Sequence, residues 1–240
     1  MQLDEKWSFV GKKEARCDPA DPADRGRGDR WDHTVIDAEH ALLLALVPGK
    51  RTEASARAAV RELHARTGGR TDLLLTSDEH APYATAIRAV YGSPADGPGE
   101  PLALPDDLCY ATVCKTRKKG RVVRVVRRLV FGTLLLVALF LARSLVSATI
   151  NTSFVERNNG TDRHQNARKA RKTCGFSKDI EMHDAISFFV AYSYNFCWPV
   201  RTLRERAGAA GPVTPAIAAG LADHVWSVRE WVTYPAWRGT

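Results

Sequence analysis

The sequence has few cysteines, and their spacing does not suggest a disulfide framework or a structural zinc site. Its 240 residues include five cysteines, an odd number, and no Cys-x-x-Cys pair. Disulfide-rich secreted domains and zinc ribbons depend on regularly spaced cysteines, so both classes are disfavoured. The N-terminal residues MQLDEKW carry charges from the fourth position, unlike the start of a secretory signal. We therefore expect reduced thiols in a cytoplasmic protein.

The sequence also lacks an uninterrupted apolar run of the length that spans a bilayer. Leu129–Ala142 is apolar over 14 residues, whereas a transmembrane helix needs about 20. A single membrane anchor would require the run to continue through Arg143 to Ile150. The length favours a helix packed on a sheet, so we expect no stable membrane association.

Acidic residues are scarce in one part of the chain. The segment Lys115–Lys178 holds 16 Lys and Arg against two acids, Glu156 and Asp162, which is a net charge of +14. The rest of the chain holds 19 Lys and Arg against 25 acids, which is a net charge of −6. The formal total of +8 is therefore concentrated in one segment. Such a segment indicates a polyanionic partner, either a nucleic acid or an anionic membrane surface.

Apolar periodicity predicts an α/β domain with a mixed sheet flanked by helices. The predicted strands are Gln2–Val10, His33–Glu39, Ala41–Val47, Asp72–Ser77 and Cys109–Lys115. The predicted helices are Glu53–Arg66, capped by Thr52, one that begins at Pro82 and runs to about Tyr91, and Ser177–Val200, capped by Ser177. Residues 92–107 are rich in Pro and Gly and predict a loop. We expect one domain over residues 1–206, then a linker and a short helical C-terminal tail over 207–240 that contains Trp237.

Three acidic residues lie at positions where a carboxylate is unfavourable unless it has a functional role. Asp4 is in the first strand, Asp78 follows the apolar strand Asp72–Ser77, and Glu156 lies in the basic segment. The carboxyl ends of central strands form the edge where α/β proteins build their sites. Carboxylate oxygens are preferred by Mg²⁺, and two such ions about 3.5–4 Å apart promote phosphodiester cleavage.

Each of these acids also has a simpler interpretation. Asp4 could be a solvated strand residue, Asp78 could cap the following helix, and Glu156 could pair with neighbouring Lys and Arg. Alternation along the first strand places Asp4 and Glu5 on opposite faces of the sheet. The spacing does not decide which of these faces carries a site.

The sequences around the three acids resemble the catalytic motifs of the DDE transposases of the insertion-sequence-one family. MQLDEKWSFVGKK at 1–13 resembles their first motif, and TSDEHAPY at 76–83 resembles their second. INTSFVERNNGTDRHQNARKARKT at 150–173 resembles their third motif. FSKDIEMHDAISFFVAYSYNFCWPVRTLR at 176–204 resembles the helix that follows it. The resemblance covers nearly the whole chain and is weakest at 92–149.

This resemblance implies an RNase H-like catalytic domain in which Asp4, Asp78 and Glu156 bind Mg²⁺ or Mn²⁺. The implied activity is hydrolysis that frees a 3′-OH at the element end, followed by attack of that 3′-OH on target DNA. The implied partners are double-stranded DNA, as element ends and target, and further copies of the chain on that DNA. We expect the zinc-finger and helix-turn-helix region that reads the element ends in this family to be missing. The 77 residues between Asp78 and Glu156 predict an insertion.

Basic residues on both sides of Glu156 are expected to contact DNA phosphates. The expected DNA-binding residues are Arg117, Lys118, Lys119, Arg121, Arg124, Arg157, Asn158, Arg163, Arg168, Lys169, Arg171 and Lys172. A solvated basic face is the simpler interpretation, but almost no acid balances these charges. Asn159-Gly160 could interrupt the helix with a turn, because glycine disfavours helix by about 1 kcal/mol relative to alanine. An RNase H-like nuclease without strand transfer and an inactive DNA-binding remnant are the alternative functions.

Overall fold

The computed structural model describes residues 1–94 and 102–235. Within these residues six strands form one mixed sheet in the order β3-β2-β1-β4-β7-β8. These strands are β1 (Gln2–Val10), β2 (Gly28–Asp37), β3 (Leu42–Gly49), β4 (Leu74–Ser77), β7 (Cys109–Lys118) and β8 (Arg121–Phe131). Two short strands, β5 (Ser93–Pro94) and β6 (Leu102–Ala103), pair with each other. The predicted α/β class with a mixed sheet is confirmed.

Helices lie on both faces of this sheet. They are α1 (Glu53–Arg66), α2 (Pro82–Tyr91), α3 (Leu134–Arg143), α4 (Ser153–Gln165), α5 (Ile180–Cys197), α6 (Arg201–Ala207), α7 (Pro215–Ala218) and α8 (Val228–Thr233). The helices α1 and α2 cover one face, where Leu3, Val60, Leu75 and Ile87 are fully buried. The helices α4 and α5 cover the other face.

The predicted bounds of α1 and α2 are confirmed, because local capping fixes them. The hydroxyl of Thr52 accepts a hydrogen bond from the backbone N–H of Ser55 at the start of α1. Pro82 occupies the first position of α2, where its missing N–H costs nothing.

The central strand β4 is shorter than its neighbours, and this opens the sheet. Strand β1 pairs in parallel with β4 at Gln2 and Thr76, and β4 ends at Ser77. The neighbouring strand on the other side, β7, continues to Lys118. From Asp4 onward, β1 and β7 therefore border a space that β4 does not fill.

The apolar run Leu129–Ala142 does not form the expected helix packed on the sheet. Its first residues end β8, and Gly132, with φ of +89°, separates this strand from α3. In α3 the side chain of Val137 is buried, but Leu134 and Leu135 are 76% and 71% exposed. Within the described residues, no helix combines the length and apolar composition that crossing a membrane requires.

Strand β8 was not predicted, and a tight turn explains how it forms. Lys119 and Gly120 both have positive φ, 50° and 79°, and they join β7 to β8. Positive φ at both turn residues suits the twist of a two-residue hairpin. Valines and arginines then fill the pairing positions of β8 opposite β7.

Other features also differ from the predictions, among them the start of β2, which is Gly28 and not His33. Helix α5 begins at Ile180 because Asp179, not Ser177, accepts the capping hydrogen bond from Met182. Helix α4 continues through Gly160 without a turn. The segment expected to be a linker contains α7, and residues 213–216 are buried. Trp237 and residues 95–101 of the predicted loop lie outside the described residues.

Candidate functional site

The space between β1 and β7 is a cleft of about 540 Å³ that α4 borders on one side. Acidic and basic side chains line it together. The cleft residues that carry charge are Asp4, Glu5, Lys6, Asp78, Glu79, Lys115, Arg117, Glu156, Arg163 and Arg171. The cleft lies at the carboxyl end of β4, as predicted for the site from the position of Asp78.

The carboxylates of Asp4, Glu5 and Asp78 converge in this cleft. One oxygen from each lies within 4.8 Å of the other two. Asp4 is on the α4 side, where Asn159 Nδ2 donates a hydrogen bond of 2.7 Å to Asp4 Oδ2. The hydroxyl of Thr34 donates to Asn159 Oδ1 at 3.3 Å, which fixes the orientation of the amide.

Glu5 lies on the opposite side of β1 from Asp4. Arg51 donates to Glu5 Oε1 through Nε at 2.9 Å and through Nη2 at 2.5 Å. Glu5 Oε2 is buried and has no hydrogen-bond partner within the part of the chain that the structure describes. Strand alternation left open which of Asp4 and Glu5 belongs to the site, and the resemblance implied Asp4 alone. The structure places both carboxylates in the cleft.

The pKa values of this cluster are raised. Burial, followed by the charge of Asp78, raises the pKa of Asp4 to about 6 and that of Glu5 to about 7. Carboxylates that share a site repel one another when ionised. A bound cation relieves this repulsion, and oxygen ligands are those that Mg²⁺ and Mn²⁺ prefer. The three residues therefore fit a hard divalent cation.

Glu156 lines the same cleft but is engaged differently. Its Oε1 contacts Lys115 Nζ and accepts a hydrogen bond of 2.6 Å from the hydroxyl of Thr152. Burial acts to raise the pKa of Glu156, but the hydrogen bonds from Lys115 and Thr152 prevail and lower it. The structure thus places Asp4, Asp78 and Glu156 in one cleft, with Glu156 held by a lysine.

The expected DNA-binding residues divide by location. Arg117, Arg163 and Arg171 line the cleft. The exposed residues outside its lining are Lys118, Lys119, Arg121 and Arg124 on the β7–β8 hairpin, with Arg157 on α4 and Lys172 after it, while Arg168 is half-buried. Arginines and lysines near the cleft entrance are suited to phosphate contacts.

Two of the expected DNA-binding side chains are buried. Lys169 is 4% exposed, and its ammonium group contacts the buried carboxylate of Asp32. Asn158 is buried on the inner side of α4. The Lys169 ammonium group does not reach the protein surface and so cannot contact a DNA phosphate. Asn158 is 9% exposed and lines a different pocket from the cleft.

Lys169 belongs to a buried charge cluster that sequence analysis missed. Lys6 contacts Asp162 and lies 3.3 Å from Asp32, and Lys169 contacts Asp32. Burial acts to raise the pKa of Asp32, but the charges of Lys169 and Lys6 hold it at about 2. The available signal was Lys6 itself, a charge on the same face of β1 as Asp4. This cluster attaches α4 and the segment after it to the sheet beside the cleft.

No protein-family model, curated protein or solved structure matches this chain.

Proposed function

We propose that this chain is an RNase H-like transposase catalytic domain that cleaves DNA and joins the freed 3′-OH to target DNA. The observation that carries the proposal is the convergence of Asp4 and Asp78 beside Glu156 in one cleft. These residues come from the three motifs that resemble the DDE transposases. Metal-dependent DNA cleavage requires these three carboxylates to lie close together.

The order of the elements supports the same proposal. Three antiparallel strands precede α1, β4, α2 and β7 along the chain, in the order that the resemblance implies. The strand β8 and the helix α3 then lie between β7 and α4. They account for part of the insertion predicted between Asp78 and Glu156.

In this proposal Asp4, Asp78 and Glu156 hold Mg²⁺ or Mn²⁺. The cation, when bound, would activate the attacking oxygen and stabilise charge on the leaving oxygen. Asn159 fixes the orientation of Asp4 through its hydrogen bond. The arginines of the cleft and the basic β7–β8 hairpin would position double-stranded DNA through its phosphates, independently of sequence.

Nicking of supercoiled plasmid DNA in Mn²⁺ or Mg²⁺ tests the cleavage step, since it needs no knowledge of the element ends. Asp4→Asn, Asp78→Asn and Glu156→Gln are each expected to lower the rate by about 100-fold or more. Glu53→Gln, an exposed acid of α1, is the matched control and is expected to retain the wild-type rate.

Joining of a labelled oligonucleotide to plasmid DNA tests strand transfer, with a 3′-deoxy oligonucleotide as the control. Nicking without joining favours an RNase H-like nuclease. A folded wild-type chain that binds DNA without nicking it is instead an inactive DNA-binding remnant. Either result contradicts the proposed transposase activity.

A further inference from the structure

We propose that Glu5, together with Asp4 and Asp78, ligates a divalent cation before DNA binds, and that Glu156 is not a ligand at that stage. The inference rests on the proposed function for the location of the site. It goes beyond that function by adding a ligand that is not one of the triad Asp4, Asp78 and Glu156. It also states that the cation binds before Glu156 becomes a ligand.

The Glu5 carboxylate lies in an environment that leaves one of its oxygens without a partner. Its side chain is 1% exposed, and Arg51 occupies Oε1 with two hydrogen bonds. Oε2 is buried with no partner among the described residues. Buried carboxylate oxygens are normally satisfied, and leaving one unsatisfied disfavours the folded state. A cation at the cluster provides the missing partner.

The way in which β1 and β4 meet brings Glu5 and Asp4 to the same cluster. Neighbouring residues of a strand point to opposite faces, so Asp4 and Glu5 would normally be separated by the sheet. Here β4 ends at Ser77, and Asp78 lies beyond that end, beside the unpaired edge of β1. An oxygen of Asp78 can therefore come within 4.8 Å of oxygens from both neighbours.

The distribution of positive charge around the cluster also favours a bound cation. Arg51 contacts Glu5, while Lys6 contacts Asp162 and Lys115 contacts Glu156. The two cleft lysines are thus paired with acids outside the cluster. Among the described residues, Arg51 and, at 3.6 Å, His80 are the basic groups that pair with the cluster, both through Glu5. Arg117, Arg163 and Arg171 line the cleft but form no ion pair with Asp4 or Asp78 in the described part of the chain, which leaves these two carboxylates available to a divalent cation.

The position of Glu156 separates it from this set. Its Oε1 is held by Lys115 and by the hydroxyl of Thr152. An acid that already has an ammonium and a hydroxyl as partners gains less from a cation than Glu5 does. The carboxylates therefore divide into a cation-binding set and one that is paired with lysine.

Mn²⁺ titration of the full-length, metal-free protein without DNA, followed by the electron paramagnetic resonance signal of free Mn²⁺, tests this division. Glu5→Gln is expected to raise the Mn²⁺ Kd on the order of tenfold, as Asp78→Asn does. Glu156→Gln is expected to stay within about twofold of wild type. The matched control is Glu79→Gln, an acid of the same cleft that pairs with Arg128, and it is also expected to stay within that range.

A second variant keeps the test valid if Glu5→Gln does not fold. Arg51→Gln retains the Glu5 carboxylate and removes the guanidinium that competes for it, so Mn²⁺ binding is expected to be equal or tighter. Wild-type affinity in folded Glu5→Gln overturns the inference. So does a loss in Glu156→Gln as large as that in Asp78→Asn, or a loss in Arg51→Gln.

These results are distinguishable from a failure of the proposed function. If Mn²⁺ binds through Glu5 but no variant or wild-type protein nicks DNA, only the catalytic proposal fails. If nicking depends on Asp4, Asp78 and Glu156 while Glu5→Gln binds Mn²⁺ normally, only this inference fails.

Discussion

Lys115 on β7 contacts the carboxylate of Glu156 on α4 across the candidate site. Lys115 Nζ also donates a hydrogen bond of 3.1 Å to the hydroxyl of Thr152, which itself donates to Glu156. The lysine and the acid neutralise each other in the absence of DNA. A phosphate that approaches Lys115 must therefore compete with Glu156 for the ammonium group.

Glu156→Gln is accordingly expected to bind DNA more tightly than the wild type. The substitution removes a negative charge and releases Lys115 for a phosphate, so the gain should be roughly 2- to 10-fold at low salt and smaller at high salt. Fluorescence anisotropy with a labelled duplex at two salt concentrations measures it. Glu53→Gln serves as the control, and weaker binding by Glu156→Gln would contradict the competition.

Neutralising the β7–β8 hairpin is expected to weaken DNA binding equally for all sequences. The variant replaces Lys118, Lys119, Arg121 and Arg124 by Gln. Each lost phosphate contact should lower the slope of log affinity against log salt by roughly 0.9. A salt titration by anisotropy measures that slope.

The control for the hairpin variant replaces Arg61 and Arg66 of α1 by Gln, since α1 packs on β2 and β3, at the opposite edge of the sheet from β8. This control is expected to keep the wild-type slope. A hairpin variant with an unchanged slope would show that DNA does not contact this surface.

The raised pKa of Glu5, about 7, predicts a pH dependence of stability in metal-free buffer. A carboxyl whose pKa is higher in the folded protein than in the unfolded chain binds more protons when folded. Its contribution is therefore fully present below pH 4.5 and is lost as the pH rises through about 7. The half-buried His80, whose pKa desolvation lowers to about 4, acts in the opposite direction.

Comparison with Glu5→Gln isolates this contribution. As the pH falls from 8 to 5, the wild type is expected to gain roughly 1–3 kcal/mol relative to the variant. Thermal unfolding in EDTA should show this as a shift of about 2–4 °C per kcal/mol. Glu53→Gln should follow the wild type, and parallel curves for Glu5→Gln and wild type would refute the raised pKa.

Asp32→Ala is expected to be strongly destabilising. Asp32 is fully buried between Lys6 and Lys169, so its removal leaves buried ammonium groups without their partner, at a cost of about 3–5 kcal/mol. Denaturant unfolding measures the loss. Glu62→Ala, which breaks an exposed pair with Arg66, should cost about 1 kcal/mol or less. Equal losses would argue against the buried cluster.

Several features of this fold could be predicted from the sequence because they depend on neighbouring residues. The alternation of Gln2–Val10 gave the first strand, and Thr52 and Pro82 gave the starts of α1 and α2. These signals arise from contacts between residues two to four positions apart, which any reader of the sequence can see. The position of Asp78 at the end of a strand was predicted for the same reason.

The roles of the charged side chains depended on distant parts of the chain. Lys169 and Lys172 look equivalent in the sequence, but Lys169 is buried on Asp32 and Lys172 is exposed. In the sequence Glu5 looks like an ordinary strand residue. In the structure β4 ends early, at Ser77, and Asp78 therefore lies beside Glu5. Sequence alone determined which residue types were available and on which elements they lie. Only the tertiary structure decided which charges meet, because ion pairing depends on distances across the sheet that no local periodicity encodes.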